Sequence, residues 1–326
     1  FDINGVGTGT SKSRGKSTDK PEITLNVQLD FENGSETLTG TVTDGNWTSE
    51  LVTDRVIWSK TNSAEQPLEY ANSYTMLLSG FEEKSEGPVG TGHATILVNT
   101  NMGKVKVAGF ASDFQKIKGA THISKDGRVP FYSVMYPIKR SNALEKVIKE
   151  TKGMQIGWLE FRTNDLGNMR AEGEVHWHNT GWTNAVYSDG FTKAVEVRSS
   201  LWVHDKANPG NTLASMPFVE LTFSEGNLDE PFSNVWSVDP LKSSFKPIKF
   251  LKPAVYVYEN AVKAGVAPKT GVFKGTFIHP ENPELKVKYI GAILQDDNYG
   301  EGTFMGITEG GKVELQTGVQ PTPPSE

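Results

Sequence analysis

The chain has 326 residues, of which 36% are hydrophobic, 10% aromatic and 22% charged, enough apolar material for a folded protein and more length than one ordinary domain needs. A formal net charge of -6 with no basic face excludes general phosphate-backbone binding, so nucleic acid is not an expected partner. The absence of cysteine removes disulfides, Cys-ligated zinc and thiol catalysis, and no apolar run approaches the roughly 18 residues of a spanning helix, so no membrane insertion is expected.

The chain opens with Phe1 rather than Met, as expected of an exported protein whose signal has been removed and equally of a recombinant fragment. Residues 1–20 read as an N-terminal arm rich in Gly, Ser, Thr and Lys, which buries too little by itself to offset its ordering entropy. Its apolar residues Phe1, Ile3 and Val6 are expected to anchor it on the open sheet edge of a neighbouring copy; packing back on its own domain is the alternative. Lys12, Arg14, Lys16 and Lys20 read as a solvated linker. The stretch Gly9 to Ser17 imitates a phosphate-binding loop, but five residues separate Gly9 from Gly15 and no strand leads into it.

Ile23, Leu25, Val27, Leu29 and Phe31 alternate with Thr24, Asn26, Gln28 and Asp30, the period of a strand with one buried face. Asn33-Gly34 and Asp44-Gly45 flank a second strand through Leu38 and Val42, which makes the opening a meander. Further strands are predicted over 94–98, 105–107, 129–136, 154–161 and 169–177, with Gly157 and Gly173 marking bulges or tight curvature. One short helix is predicted over 141–153, with Asn142 and Glu145 as a capping box and Gly153 closing it. From Lys206 the prolines Pro209, Pro217, Pro231, Pro240, Pro247 and Pro253 break the pattern, and strands resume at 254–258, 271–278, 285–294, 302–307 and 312–315. The expected organisation is an arm (1–20), a first β domain (21–205), a second (206–316) and a C-terminal tail or linker (317–326). The fold class is all-β: antiparallel meander, barrel-like or sandwich units with one short helix. A Pro-rich ending argues against an outer-membrane barrel, which closes on a strand.

Gly90-Thr-Gly92 leading to Gly103-Lys-Val-Lys-Val107 echoes Gly300-Glu-Gly302 leading to Gly311-Lys-Val-Glu-Leu315, a repeated hairpin. The stretch Gly90 to Tyr136, with G-T-G-H-A-T-I-L-V, G-K-V-K-V-A-G-F-A-S-D and K-D-G-R-V-P-F-Y-S-V-M-Y, resembles uncharacterised β-rich repeat domains of large exported proteins of Verrucomicrobia and Planctomycetes. Thr39 to Trp58 and Gly271 to Leu315 share the likeness. The resemblance implies secretion and a place at the cell surface or outside the cell, and supplies no catalytic residues.

Glu174, His176 and His178 fall on one strand face, as a metal site needs, but three solvent-facing residues opposite Val175 and Trp177 satisfy the same pattern. Asp296-Asp297-Asn298 offers hard oxygens without the spacing of a calcium loop, and reads equally as a polar turn. Glu172 with Glu174 is a possible glycosidase pair only if the two acids face each other across a cleft. No nucleophile elbow, H-E-x-x-H or dinucleotide fingerprint occurs, so no enzyme and no cofactor are expected. Of seven tryptophans, Trp177 and Trp182, with Tyr187, are the candidates for stacking on sugars. The expectation is a non-enzymatic extracellular structural protein, a subunit of a surface fibre, filament or layer whose partners are other copies of itself. The alternative is an extracellular carbohydrate-binding or adhesion module with a polysaccharide partner.

Overall fold

The computed structural model describes residues 1–11, 21–30, 34–141, 147–181, 187–247 and 259–320. The chain falls into two compact units, Phe1–Trp58 and Ser59–Glu326. All sheets are antiparallel, as the alternation of the sequence predicts, and the helical pieces among the described residues are short 3-10 turns.

The first unit is a four-stranded meander: β1 (Val6–Ser11), β2 (Ile23–Leu29), β3 (Thr37–Thr43) and β4 (Thr48–Asp54). Register sets Leu25 opposite Val42 and Val27 opposite Gly40, so Leu38 and Val42 join the apolar face that Ile23 to Leu29 begin, and Leu51 extends it. The arm differs from expectation. Val6–Ser11 pairs with Ile23–Leu29 of its own chain. Asp2 sets the preceding turn, its Oδ1 accepting from the backbone N–H groups of Asn4 (2.9 Å) and Val6 (2.8 Å), while the Phe1 ring lies over Gly7. Residues 12–20 lie outside the described residues.

The second unit holds two eight-stranded sheets. The first comprises β5 (Ser73–Leu78), β6 (Gly92–Val98), β7 (Lys104–Phe110), β8 (Lys116–His122), β9 (Arg128–Ser141), β10 (Val147–Thr163), β11 (Met169–Asn179) and β12 (Phe191–Leu201). The other comprises β13 (Phe218–Glu225), β14 (Phe232–Val238), β15 (Phe245–Pro247), β16 (Lys263–Ala267), β17 (Val272–His279), β18 (Asn282–Leu294), β19 (Tyr299–Met305) and β20 (Gly310–Thr317). In each sheet the first strand pairs with the last, β5 with β12 and β13 with β20. The remaining ends, β8 beside β9 and β15 beside β16, come together, so each sheet is a nearly closed barrel. The passage from one barrel to the other falls between Leu201 and Phe218.

The first barrel is filled by inward residues such as Ile96, Val107, Phe131, Leu159, Phe161, Val175 and Val197, all buried. The second has an aromatic core in which Phe223 lies 4.9 Å from Phe232 and from Tyr289, and Phe277 5.1 Å from Phe304. The barrels join through a small apolar cluster, Leu77 with Ala292 and Leu294, and through hydrogen bonds: Thr75 Oγ1 donates to the Ile293 carbonyl (2.6 Å) and Thr303 Oγ1 to that of Ser112 (2.7 Å). The two echoed hairpins meet here. Thr91 donates its backbone N–H to the Gly302 carbonyl (3.1 Å) and its hydroxyl to Glu301 (2.5 Å).

The predicted helix is corrected over its described part: Val147 to Gly153 belong to β10, laddered to β9, because β-branched Val147, Ile148 and Thr151 suit a strand that has a partner. Residues 142–146 and the predicted strand 254–258 lie outside the described residues. Gly157 and Gly173 are not bulges, since the β10–β11 register runs unbroken through both. A Cβ on Gly157 would stand 2.2 Å from the Glu174 carbonyl oxygen, and one on Gly173 2.1 Å from that of Trp158, so both mark close backbone approach on a curved strand pair.

Candidate functional site

The outward faces of β9, β10 and β11 form a grid fixed by register. Tyr132 lies opposite Ile156 and Ile156 opposite His176; Pro130 opposite Trp158 and Trp158 opposite Glu174; Val134 opposite Met154 and Met154 opposite His178. Two neighbouring strands thus present a continuous apolar stripe to solvent, with Tyr132 53%, Val134 46%, Ile156 45% and Trp158 37% exposed. Scattered exposed hydrophobics are ordinary, but a contiguous, rimmed patch marks an interaction surface. Its rim is polar: the Arg128 guanidinium stands 5.7 Å from the Trp158 ring with Glu160 opposite it on β10, and Glu174 and His176 border the stripe on β11. A shallow groove of about 420 Å³ runs between Trp158, Arg162, Glu172 and His176.

The stripe is legible in V-P-F-Y-S-V-M-Y once the inward set is known. Val129, Phe131, Ser133 and Met135 turn inward and are buried, which leaves Tyr132 and Val134 outside with no core to join. An apolar residue on both faces of one strand is the signal that sequence reading missed.

The predicted stacking residues fall elsewhere. Trp177 is buried, so its ring is not available to a sugar: Nε1–H donates to the Tyr136 hydroxyl (3.1 Å), and the ring packs edge-on against Phe81 and Phe191. Tyr187 packs against Phe191 and is half-buried, and burial pushes its phenol up to about 12. Trp182 lies outside the described residues. Behind Trp177 a buried chain continues: the Tyr136 hydroxyl donates to Asp113 Oδ2 (2.5 Å), and burial pushes the Asp113 carboxyl up to about 6. Of the predicted assembly residues, Phe1, Ile3 and Val6 are all exposed.

The candidate metal groups are engaged otherwise. Asp296 accepts from the side-chain amides of Asn164 (2.9 Å) and Asn168 (2.8 Å), which tie the β10–β11 turn to the second barrel. His178 Nδ1 is 2.6 Å from Thr192 Oγ1, and His176 stands 4.0 Å from Glu174. Among the described residues no group of three or more His, Asp or Glu is placed to hold a metal. Glu172 and Glu174 lie on the same strand face rather than across a cleft.

A charged cleft of about 600 Å³ lies where the barrels meet, lined by Thr91, Lys193, Arg198, Glu301 and Lys312 among others. Its cations are paired within the chain: Arg198 stands 3.7 Å from Glu301, Lys312 2.7 Å from Glu314, and Lys193 3.0 Å from Glu86. The Tyr299 hydroxyl donates to Glu301 (2.6 Å) and is 3.1 Å from Glu314, and burial raises its phenol. Of these pairs Arg198–Glu301 spans the two barrels.

Fold and site define an antiparallel protein of two coupled eight-stranded barrels that exposes an aromatic sheet face. No family model and no curated protein match the chain. Among solved structures it is similar to the vaccine antigen transferrin binding protein B of Haemophilus parasuis Hp5, in a tryptophan-to-alanine mutant and in a double mutant that also replaces a tyrosine. Identity is 11% for both, with TM-scores of 0.21 and 0.22 over 92% and 94% of this chain, which spans 66% and 67% of theirs.

Proposed function

We propose that this protein is a non-enzymatic, exported binding module of the adhesion type, whose β9–β11 face docks on a partner protein outside the cytoplasm. One observation carries the reading: the contiguous exposed stripe Tyr132, Val134, Ile156 and Trp158. Its composition supports a protein partner over a polysaccharide. Aromatic residues, a methionine and an arginine over an aliphatic centre with a charged rim are the make-up of an interface core, whereas sugar stacking asks for bare ring faces, and Arg128 stands over Trp158. The test compares wild type with Tyr132→Ser/Trp158→Ser on a panel of extracellular proteins and a glycan array. Both residues point outward, so the double variant should melt as wild type does, while loss of two aromatic anchors should weaken protein binding at least about tenfold. Equal binding by wild type and variant overturns the reading, and binding confined to glycans replaces the partner class.

Self-assembly into a fibre or layer is the second reading. It draws support from the N-terminal sheet, whose order leaves β1 and β4 as its two edges, with Phe1, Ile3 and Val6 exposed along the first. Light scattering on the chain with and without residues 1–11 tests it, since assembly through that edge requires wild type to form multimers and the truncated chain to stay monomeric.

A further inference from the structure

The second barrel carries a surface of different chemistry. In β16, β17 and β18 the residues Ala264, Val266, Phe273, Phe277, Val287 and Tyr289 turn inward to the core, so the alternate positions face out. Register arranges these in rows: Lys263 opposite Thr276 and Thr276 opposite Lys288, then Gly265 opposite Lys274 and Lys274 opposite Ile290. Phe110 and Phe114 from the first barrel wall the rows, and the groove so formed has about 630 Å³, within the range of small-molecule sites. Phe114 holds φ +63° in the turn after β7, a conformation that a bulky residue adopts only under constraint. Gly265 leaves the floor open: a Cβ there would meet nothing nearer than the Lys274 carbonyl oxygen at 4.0 Å.

The lining includes three lysines and no Asp or Glu. None of the three forms an ion pair among the described residues. Like charges on neighbouring strands repel, and the long lysine stems add apolar wall.

We propose that this groove binds a free long-chain fatty acid, its alkyl chain on the floor between Phe110, Phe114, Gly265 and Ile290 and its carboxylate held by Lys263, Lys274 and Lys288. An apolar floor selects an apolar body, and three lysines without an ion pair among the described residues select an anionic end. A concave groove of this size suits a single chain rather than a bilayer surface.

Calorimetric titration of the full chain with dodecanoate, kept below its micelle concentration, tests the proposal against dodecanol and dodecyltrimethylammonium. Dodecanoate is expected to bind at least tenfold tighter than either, and each methylene removed should weaken it about fourfold. Gly265→Trp should abolish binding by filling the floor. Lys274→Glu/Lys288→Glu, at exposed positions that carry no fold, should weaken dodecanoate at least tenfold and leave dodecanol unchanged, and this pair decides the matter if the tryptophan variant fails to fold. Equal affinity for the acid and the alcohol, or unchanged binding in both variants, overturns the proposal. So does sedimentation with dioleoylphosphatidylglycerol vesicles without affinity for dodecanoate.

Discussion

A buried and a half-buried side chain of the first barrel respond to acid with opposite signs. Burial pushes the His93 imidazole down to about 4 and the Asp113 carboxyl up to about 6. Between about pH 6.5 and 4 the unfolded chain holds a proton on His93 that the folded chain lacks, so His93 lowers stability as pH falls through that window. For Asp113 the folded state holds the extra proton: its contribution is fully present below the unfolded value of 3.8 and is lost as pH rises through about 6. Each slope reaches at most about 1.4 kcal/mol per pH unit, so the two largely cancel. Asp113→Asn is therefore expected to make the urea midpoint fall steadily from pH 6.5 to 4, and His93→Phe, which keeps a ring beside Phe110, to make it rise. Parallel slopes in the two variants would contradict the assignment. Neither residue stood out in the sequence, because what shifts both is burial, which spacing does not reveal; the Tyr136 hydroxyl on Asp113 opposes the rise there.

Strands with one wet face were readable: β2, β3 and β11 announce themselves by alternation and by the turn dipeptides beside them. The stretch after Lys206 was not, since its prolines read as breakers. Pro217 and Pro231 stand immediately before β13 and β14, where a strand's first residue needs no inward N–H, and thus punctuate strands rather than forbid them. The exposed stripe was missed for a related reason: an apolar residue on a predicted strand can lie on either face, and only register decides which. At Asp296 the sequence offered a calcium loop or a polar turn, and its oxygens accept from the asparagines of the β10–β11 turn. Asp296→Ala should cost about 2 kcal/mol through loss of two charge-assisted hydrogen bonds, seen as a lower urea midpoint. Calcium should leave the wild-type melting temperature unchanged, because a cation would have to displace both asparagine amides. A calcium-dependent rise would restore the metal reading.

Across the second unit, the barrels behave as one body because buried hydroxyls and the Leu77, Ala292 and Leu294 cluster stitch them together. The echo between Gly90-Thr-Gly92 and Gly300-Glu-Gly302 was visible in the sequence as a repeat; that the two copies touch, through Thr91 and Glu301, was not, since repetition says nothing about pairing. A single cooperative melting transition for residues 59–320 is the expected outcome, and two separated transitions in calorimetry would mean that the junction is weaker than its hydrogen bonds imply. The pairing of first with last strand has its own consequence. In the second barrel Gly318 donates its N–H to the Phe218 carbonyl at 2.9 Å, so the start and finish of this barrel lie side by side. With those ends joined, the cost of new termini depends on the strand pairing they break, and among the described residues the ladder is already interrupted between β15 and β16. The barrel is therefore open to circular permutation: new termini at that seam should preserve the fold, whereas new termini inside the β18–β19 hairpin should not.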